Sequence, residues 1–314
     1  MEGLRRSIWS RIFLKGDRLR PTWRVIVYIL ILLLTIWILG MLLGLLWGTF
    51  RPPKELFMPL MMLAYLADVL LVTYLARYFL DGRPLRDLGL RHYPGWLTDV
   101  AVGAGLGALL ISLVFLAELA GGWLEVRGFA WQNGMKPNLL LGLGIAFFDF
   151  AVVGINEELI ARGYILQNLA EEWGMTVAVV SSSVLFSLAH LGNPHSDLES
   201  TINLIVAGIL FASGYLVTRS LWLPIALHFS WNFFQGPIVG YPVSGTSLGP
   251  RLLRTSVRGP ELITGGAFGP EGGLIGLGVT FLGIALLWLW GRISKRIDEE
   301  GHRMLPARLR KRGL

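Results

Sequence analysis

The chain has 314 residues, of which 54% are hydrophobic and 16% charged, with a mean hydropathy of +0.58. A soluble domain carries about 25% charged residues, so this composition excludes one or two ordinary soluble domains and predicts a polytopic membrane protein, an all-α bundle of about eight transmembrane helices. The absence of cysteine excludes disulfides, thiolate nucleophiles and Cys-based zinc or iron–sulfur sites. The net charge of +7 gathers at the two ends of the chain, beside apolar runs, which points to topology and anionic lipids as partners and not to nucleic acid.

Residues 1–24 form a basic segment in which Ile8, Trp9, Ile12 and Phe13 share one helical face among arginines, the pattern of an interfacial helix. The apolar run from Val25 to Trp47 is too long for the core of a signal peptide and reads as a retained span. A helix needs about 20 apolar residues to cross a bilayer. That length selects 25–48, 57–80, 98–120, 138–168, 174–192, 201–218, 220–239 and 273–291. An even number of spans puts both basic termini on one side, which the positive-inside rule makes cytoplasmic. Arg83, Arg86 and Arg91 in 81–97 agree with that orientation, whereas Arg251, Arg254 and Arg258 in the 240–272 loop run against it.

The chain therefore divides into a basic N-terminal segment (1–24), three spans (25–137), a polar-studded core of four spans (138–239), a Gly/Pro-rich loop (240–272), a last span (273–291) and a basic tail (292–314). The loop has no periodicity and reads as a lid, a re-entrant segment or disorder. Gly103, Gly105 and Gly107, with Gly142 and Gly144, read as positions of close helix contact.

Three short motifs place polar groups inside the core spans: Glu157-Glu158 with Arg162, Phe186 with His190, and His228 with Asn232. Ionisable groups in hydrocarbon are costly, so they usually face a cavity and do chemistry or transport. In each motif residues four apart share a helical face. Glu158 and Arg162 form an i, i+4 pair and neutralise one another. Glu157 points about 100° around the helix, has no local cation, and so suits a general base. His190 closes its run with Phe186 one turn earlier. His228 and Asn232 both offer hydrogen bonds, as an oxyanion requires. Counting about 1.5 Å per residue from the same side places Glu157 and His190 at roughly 20 and 24 Å but His228 at about 12 Å, a mismatch of roughly 10 Å. His195 lies in the Asn193-Pro194 turn and reads as a loop residue.

At these motifs the chain resembles the CPBP family of intramembrane proteases, the CAAX prenyl protease 2-like or Abi-like group, whose pattern is E-E-x-x-x-R, then F-x-x-x-H, then H-x-x-x-N. The likeness covers 138–239, and Gly82 to Arg91 looks like the stretch that precedes the third span in many members. The resemblance implies an eight-span endopeptidase whose site opens toward the cytoplasmic half of the membrane. It further implies that Glu157 and His190 activate water and that His228 and Asn232 hold the oxyanion. The substrate would be a membrane-anchored protein or peptide, with CAAX-type or leader-type processing. No cofactor is favoured, since the spacing is not the His-Glu-x-x-His of a zinc helix. If zinc were used, Glu157, His190 and His228 would be its three protein ligands. Two other readings use the same polar residues: a proton- or ion-coupled transporter, and a non-proteolytic scaffold or immunity protein.

Overall fold

A computed structural model of the chain describes residues 12–51, 57–132, 137–247 and 249–294. Most of the interfacial helix expected at residues 8–13, and the tail after residue 294, lie outside the described residues. Helix makes up 74% of the structure, as the composition requires, and among the described residues six helices are long and apolar enough to cross a membrane.

A two-stranded hairpin, β1 (Leu14–Lys15) and β2 (Arg18–Leu19), leads into α1 (Pro21–Phe50), which starts with Pro21 in its first turn. Proline fits there because its missing N–H would have no partner in the helix. α2 (Phe57–Ala76) continues into a π-helical turn, Arg77–Asp81, and α3 spans Trp96–Ala120. Strand β3 (Leu124–Phe129) precedes α4 (Pro137–Glu158), which runs through a second π-helical turn, Leu159–Ile165, into α5 (Leu166–Trp173). Gly174, at φ 80° and ψ 167°, reverses the chain into α6 (Met175–Leu188). Asp197 caps α7 (Leu198–Thr218) with a capping box, its Oδ1 accepting from the Ser200 N–H at 2.7 Å. α8 (Trp222–Phe233) runs into a third π-helical turn, Phe234–Val239. Strand β4 (Leu253–Val257), a single turn of helix α9 (Glu261–Thr264) and the last span α10 (Leu274–Ile293) complete the chain.

Six of the eight expected spans appear as long apolar helices; α6 is shorter, at 14 residues, and α8 with its π-helical turn covers Trp222–Val239 of the expected 220–239 but carries His228, Asn232 and Gln235 along it. The glycine reading divides. A Cβ on Gly107 would stand 2.7 Å from the Leu227 carbonyl and 2.8 Å from the Trp231 N–H, so α3 and α8 touch backbone to backbone. Gly103 faces the same helix and Gly142 meets Pro250, whereas Gly105 and Gly144 face open space.

The bundle has two distinct ends. At one end, where α1 begins and α10 finishes, Glu172 accepts from Arg20 Nε at 2.6 Å and from the Thr22 hydroxyl at 2.6 Å. Buried Asp81 pairs with Arg77 at 2.6 Å. The Leu221 N–H donates to the Gly89 carbonyl at 3.0 Å, and Trp222 Nε1 to the Arg91 carbonyl at 3.2 Å. At the other end β3 pairs antiparallel with β4, Asn193 Nδ2 donates to the Ser244 carbonyl, and Asn203 Nδ2 to that of Gly273, both at 3.0 Å. The 240–272 loop is thus the lid of this second end, one of the three forms expected for it. The local strands it uses were not legible in its composition.

Candidate active site

Glu157 and Glu158 sit where α4 passes into the π-helical turn, and Arg162 lies within that turn. A π turn holds one residue more than an α turn and recurs at functional sites because it re-aims side chains. Here the Glu158 and Arg162 side chains are 0% exposed and joined at 2.9 Å, as the i, i+4 spacing predicts. The guanidinium also donates to the Gly208 carbonyl at 2.9 Å and lies between the rings of Phe186 (4.5 Å) and Phe211 (5.2 Å). Gly208 also lets α7 lie close against α6, since a Cβ there would fall 2.7 Å from the Ser183 Cβ.

His228 Nδ1 is 3.0 Å from Glu158 Oε1, and its ring stacks on Phe211 with centroids 4.5 Å apart. His190 Nδ1 is 2.8 Å from the Phe186 carbonyl. Both partners are acceptors, so each Nδ1 donates, and the two Nε2 atoms are turned to Glu157. Glu157 Oε2 stands 3.8 Å from His190 Nε2 and 3.8 Å from His228 Nε2. It is buried and accepts no hydrogen bond among the described residues. The three motifs therefore converge on one gap wider than a direct hydrogen bond. Asn232, one turn beyond His228, lines the same cavity and is almost fully buried.

The 10 Å depth mismatch counted along the spans does not keep the motifs apart, since His228 Nε2 still stands 3.8 Å from Glu157 Oε2.

The cavity holds about 470 Å³ and draws its wall from more of the chain than the four core spans. Met58 and Met62 come from α2, and the lid supplies Tyr241, Val243, Ser244, Arg251 and Glu271. Glu271 accepts from the Ser244 N–H at 2.6 Å and from its hydroxyl at 3.0 Å, which latches the lid to itself. Burial pushes the Glu271 carboxyl up; the Ser244 bonds pull the other way, without cancelling the rise. Asp149 also faces the cavity, with a buried Oδ1 that has no partner among the described residues. Sequence reading missed Phe211, Gly208, Ser244, Glu271 and Asp149. Only Asp149 carried a signal, a carboxylate inside a predicted span eight residues, and so about 12 Å along the helix, before Glu157. His195 is a loop residue with φ 60°, as read from sequence.

Zinc ligands at about 2.0–2.2 Å from a tetrahedral ion stand roughly 3.4 Å apart. The 3.8 Å gaps of Glu157, His190 and His228 exceed that. Among the described residues no group of three or more such side chains is arranged to hold a metal ion, so the geometry does not fit zinc.

Residues 138–234 match the family model described as type II CAAX prenyl endopeptidase Rce1-like. No curated protein and no solved structure matches the chain.

Proposed function

We propose that this chain, which belongs to the CPBP family of CAAX-type membrane proteases, hydrolyses a peptide bond of a membrane-anchored protein by attack of a water held between Glu157 and His190. The observation that carries the reading is the 3.8 Å gap around Glu157 Oε2, faced by two imidazoles whose other nitrogens are already committed. A water in that gap would donate to Glu157 Oε2 and to the lone pair of His190 Nε2, leaving its own lone pair free to attack.

Charge balance supports the second half of the mechanism. Two carboxylates, Glu157 and Glu158, face one guanidinium, Arg162. A proton on His228 brings the group to neutrality. As an imidazolium, His228 donates from Nδ1 to Glu158 and from Nε2 to the carbonyl oxygen that becomes an oxyanion, with Asn232 Nδ2 as the second donor. Glu157 takes the proton of the attacking water, the oxygen–carbon bond forms, and the tetrahedral intermediate collapses. The same carboxyl then returns the proton to the leaving nitrogen as the carbon–nitrogen bond breaks. Glu158 and Arg162 hold the histidine and the helix in place, and no metal is used.

The test is cleavage of membrane-anchored peptides by the purified full chain in detergent, with Glu157→Gln alongside and a strong chelator added to each. A positioned base contributes about 10²–10⁴-fold, so the variant should lose at least about a hundredfold while the chelator changes nothing. A variant with full activity overturns the base assignment. Activity lost to the chelator and restored by zinc overturns the metal-free step.

A further inference from the structure

We infer that the cavity opens on the face of the membrane away from the cytoplasm, so that the substrate is a membrane-anchored protein whose cleaved segment lies on the outer side. The orientation stands on geometry and charge alone; its consequence for the substrate rests on the protease reading above.

Every part of the cavity wall belongs to the lid end of the bundle. α2 contributes its first residues, Met58 and Met62; α4 contributes the stripe Gly142, Asp149, Glu157; α7 contributes Leu204 to Phe211 from its first two-thirds. Asn193 follows α6, and the lid closes the mouth. The segments at the opposite end, 77–97, 171–175, 218–222 and 292–294, contribute nothing to it. The mouth and the end where α1 begins are therefore separated by the thickness of the bundle. Cytoplasmic termini and a cytoplasmic mouth, both expected from the sequence, exclude one another.

The charges decide which to keep. At the end where α1 begins stand Lys15, Arg18, Arg20 and Arg24, then Arg77, Arg83, Arg86 and Arg91 beyond α2, Arg219 after α7 and Arg292 in the last turn of α10. The lid end has Arg51, Arg127, Arg251, Arg254 and Arg258 among the described residues. Ten more lysines and arginines lie in sequence before residue 12 or after residue 294, next to the first of these ends, against two more, Lys54 and Lys136, next to the second. Lysine and arginine counts near span ends set orientation. The excess puts the end where α1 begins in the cytoplasm and the lid outside. A cytoplasmic C-terminal tail would then not reach the gap at Glu157, whereas an outward-facing segment would.

The chain has no cysteine, so single cysteines report sidedness without background. Leu262→Cys marks the lid and Pro94→Cys the opposite end; both positions are exposed, and neither change alters a charge. A membrane-impermeant maleimide applied to intact cells should label Leu262→Cys at least tenfold more than Pro94→Cys, with the ratio reversed in inverted vesicles. Labelling of Pro94→Cys with Leu262→Cys protected overturns the inference, and so does equal labelling of the two. A second arm places one cleavable segment on the outer or the inner flank of a single-span reporter. Cleavage of the outer reporter alone is expected, and cleavage of the inner one alone overturns the substrate inference. If neither is cleaved while the lid labels from outside, the protease reading fails and the orientation stands.

Discussion

Replacing Arg162 by Met removes the cation from the most completely enclosed ion pair among the described residues. Both side chains are 0% exposed, and Glu158 would be left with only the His228 ring as partner. Breaking a buried pair from one side costs about 3–5 kcal/mol, because the remaining charge has no compensation. For a chain of this size each kcal/mol moves the midpoint by about 2 °C, so Arg162→Met should lower the Tm by about 6–10 °C. The double variant Glu158→Gln with Arg162→Met removes both charges and keeps an acceptor for His228 Nδ1. It loses the donor to the Gly208 carbonyl and the guanidinium's contacts with the Phe186 and Phe211 rings, together worth about 1–2 kcal/mol, or about 2–4 °C. Thermal unfolding in detergent, followed by tryptophan fluorescence, measures all four corners of the cycle. The reasoning is refuted if the double variant falls by the sum of the single losses, or if Arg162→Met melts within 1 °C of the wild type.

Three further outcomes are expected. Gly107→Ala pushes a methyl into the Leu227 and Trp231 backbone, at 2.7 and 2.8 Å. It should cost about 1–3 kcal/mol as overpacking and depress cleavage, since α8 carries His228 and Asn232; unchanged melting and turnover would show that α8 shifts freely. The Glu271 carboxyl is pushed above its ordinary 4.5 by burial, so its contribution is complete below that value and is lost as pH rises through the raised one. Melting of the wild type should therefore fall relative to Glu271→Gln over that rise, and parallel curves would contradict the effect of burial on that carboxyl. Asp149 stands about 12 Å from Glu157 along α4, the reach of three to four extended residues. Asp149→Asn should cut cleavage of peptides with a lysine that far from the scissile bond by about tenfold and spare the leucine analogue.

The site was legible in the sequence to the extent that it is local. Glu158 and Arg162, four apart on one helix, declared their pairing, and Glu157 declared itself by lacking a partner. The contact of His228 with Glu158 joins residues 70 apart, and the turn of each Nε2 toward Glu157 depends on tautomers set by the Phe186 carbonyl and the Glu158 carboxylate. No periodicity encodes those. The lid was ambiguous because its register is fixed by a strand about 130 residues earlier, Leu124 facing Val257. The six long spans followed from apolar length. α6 stops at Leu188, beside the cavity and short of the expected 192, whereas α8 with its π-helical turn covers the expected 220–239 to within two residues.

The carbonyl of Gly89 accepts from both the Leu221 N–H and the Ser220 hydroxyl, and one residue earlier the Leu88 carbonyl accepts from Gln167 at 2.8 Å. Gly89 can do this because its φ is 105°, and a Cβ there would stand 3.0 Å from the Leu221 nitrogen. Seven residues along α8 from Leu221 comes His228, and Gln167 lies ten residues past Glu157. One loop at the floor of the protein thus acts as a common datum for the two helices that meet at the gap. A side chain at position 89 would leave every cavity residue in place by name and still put the two halves of the site out of level.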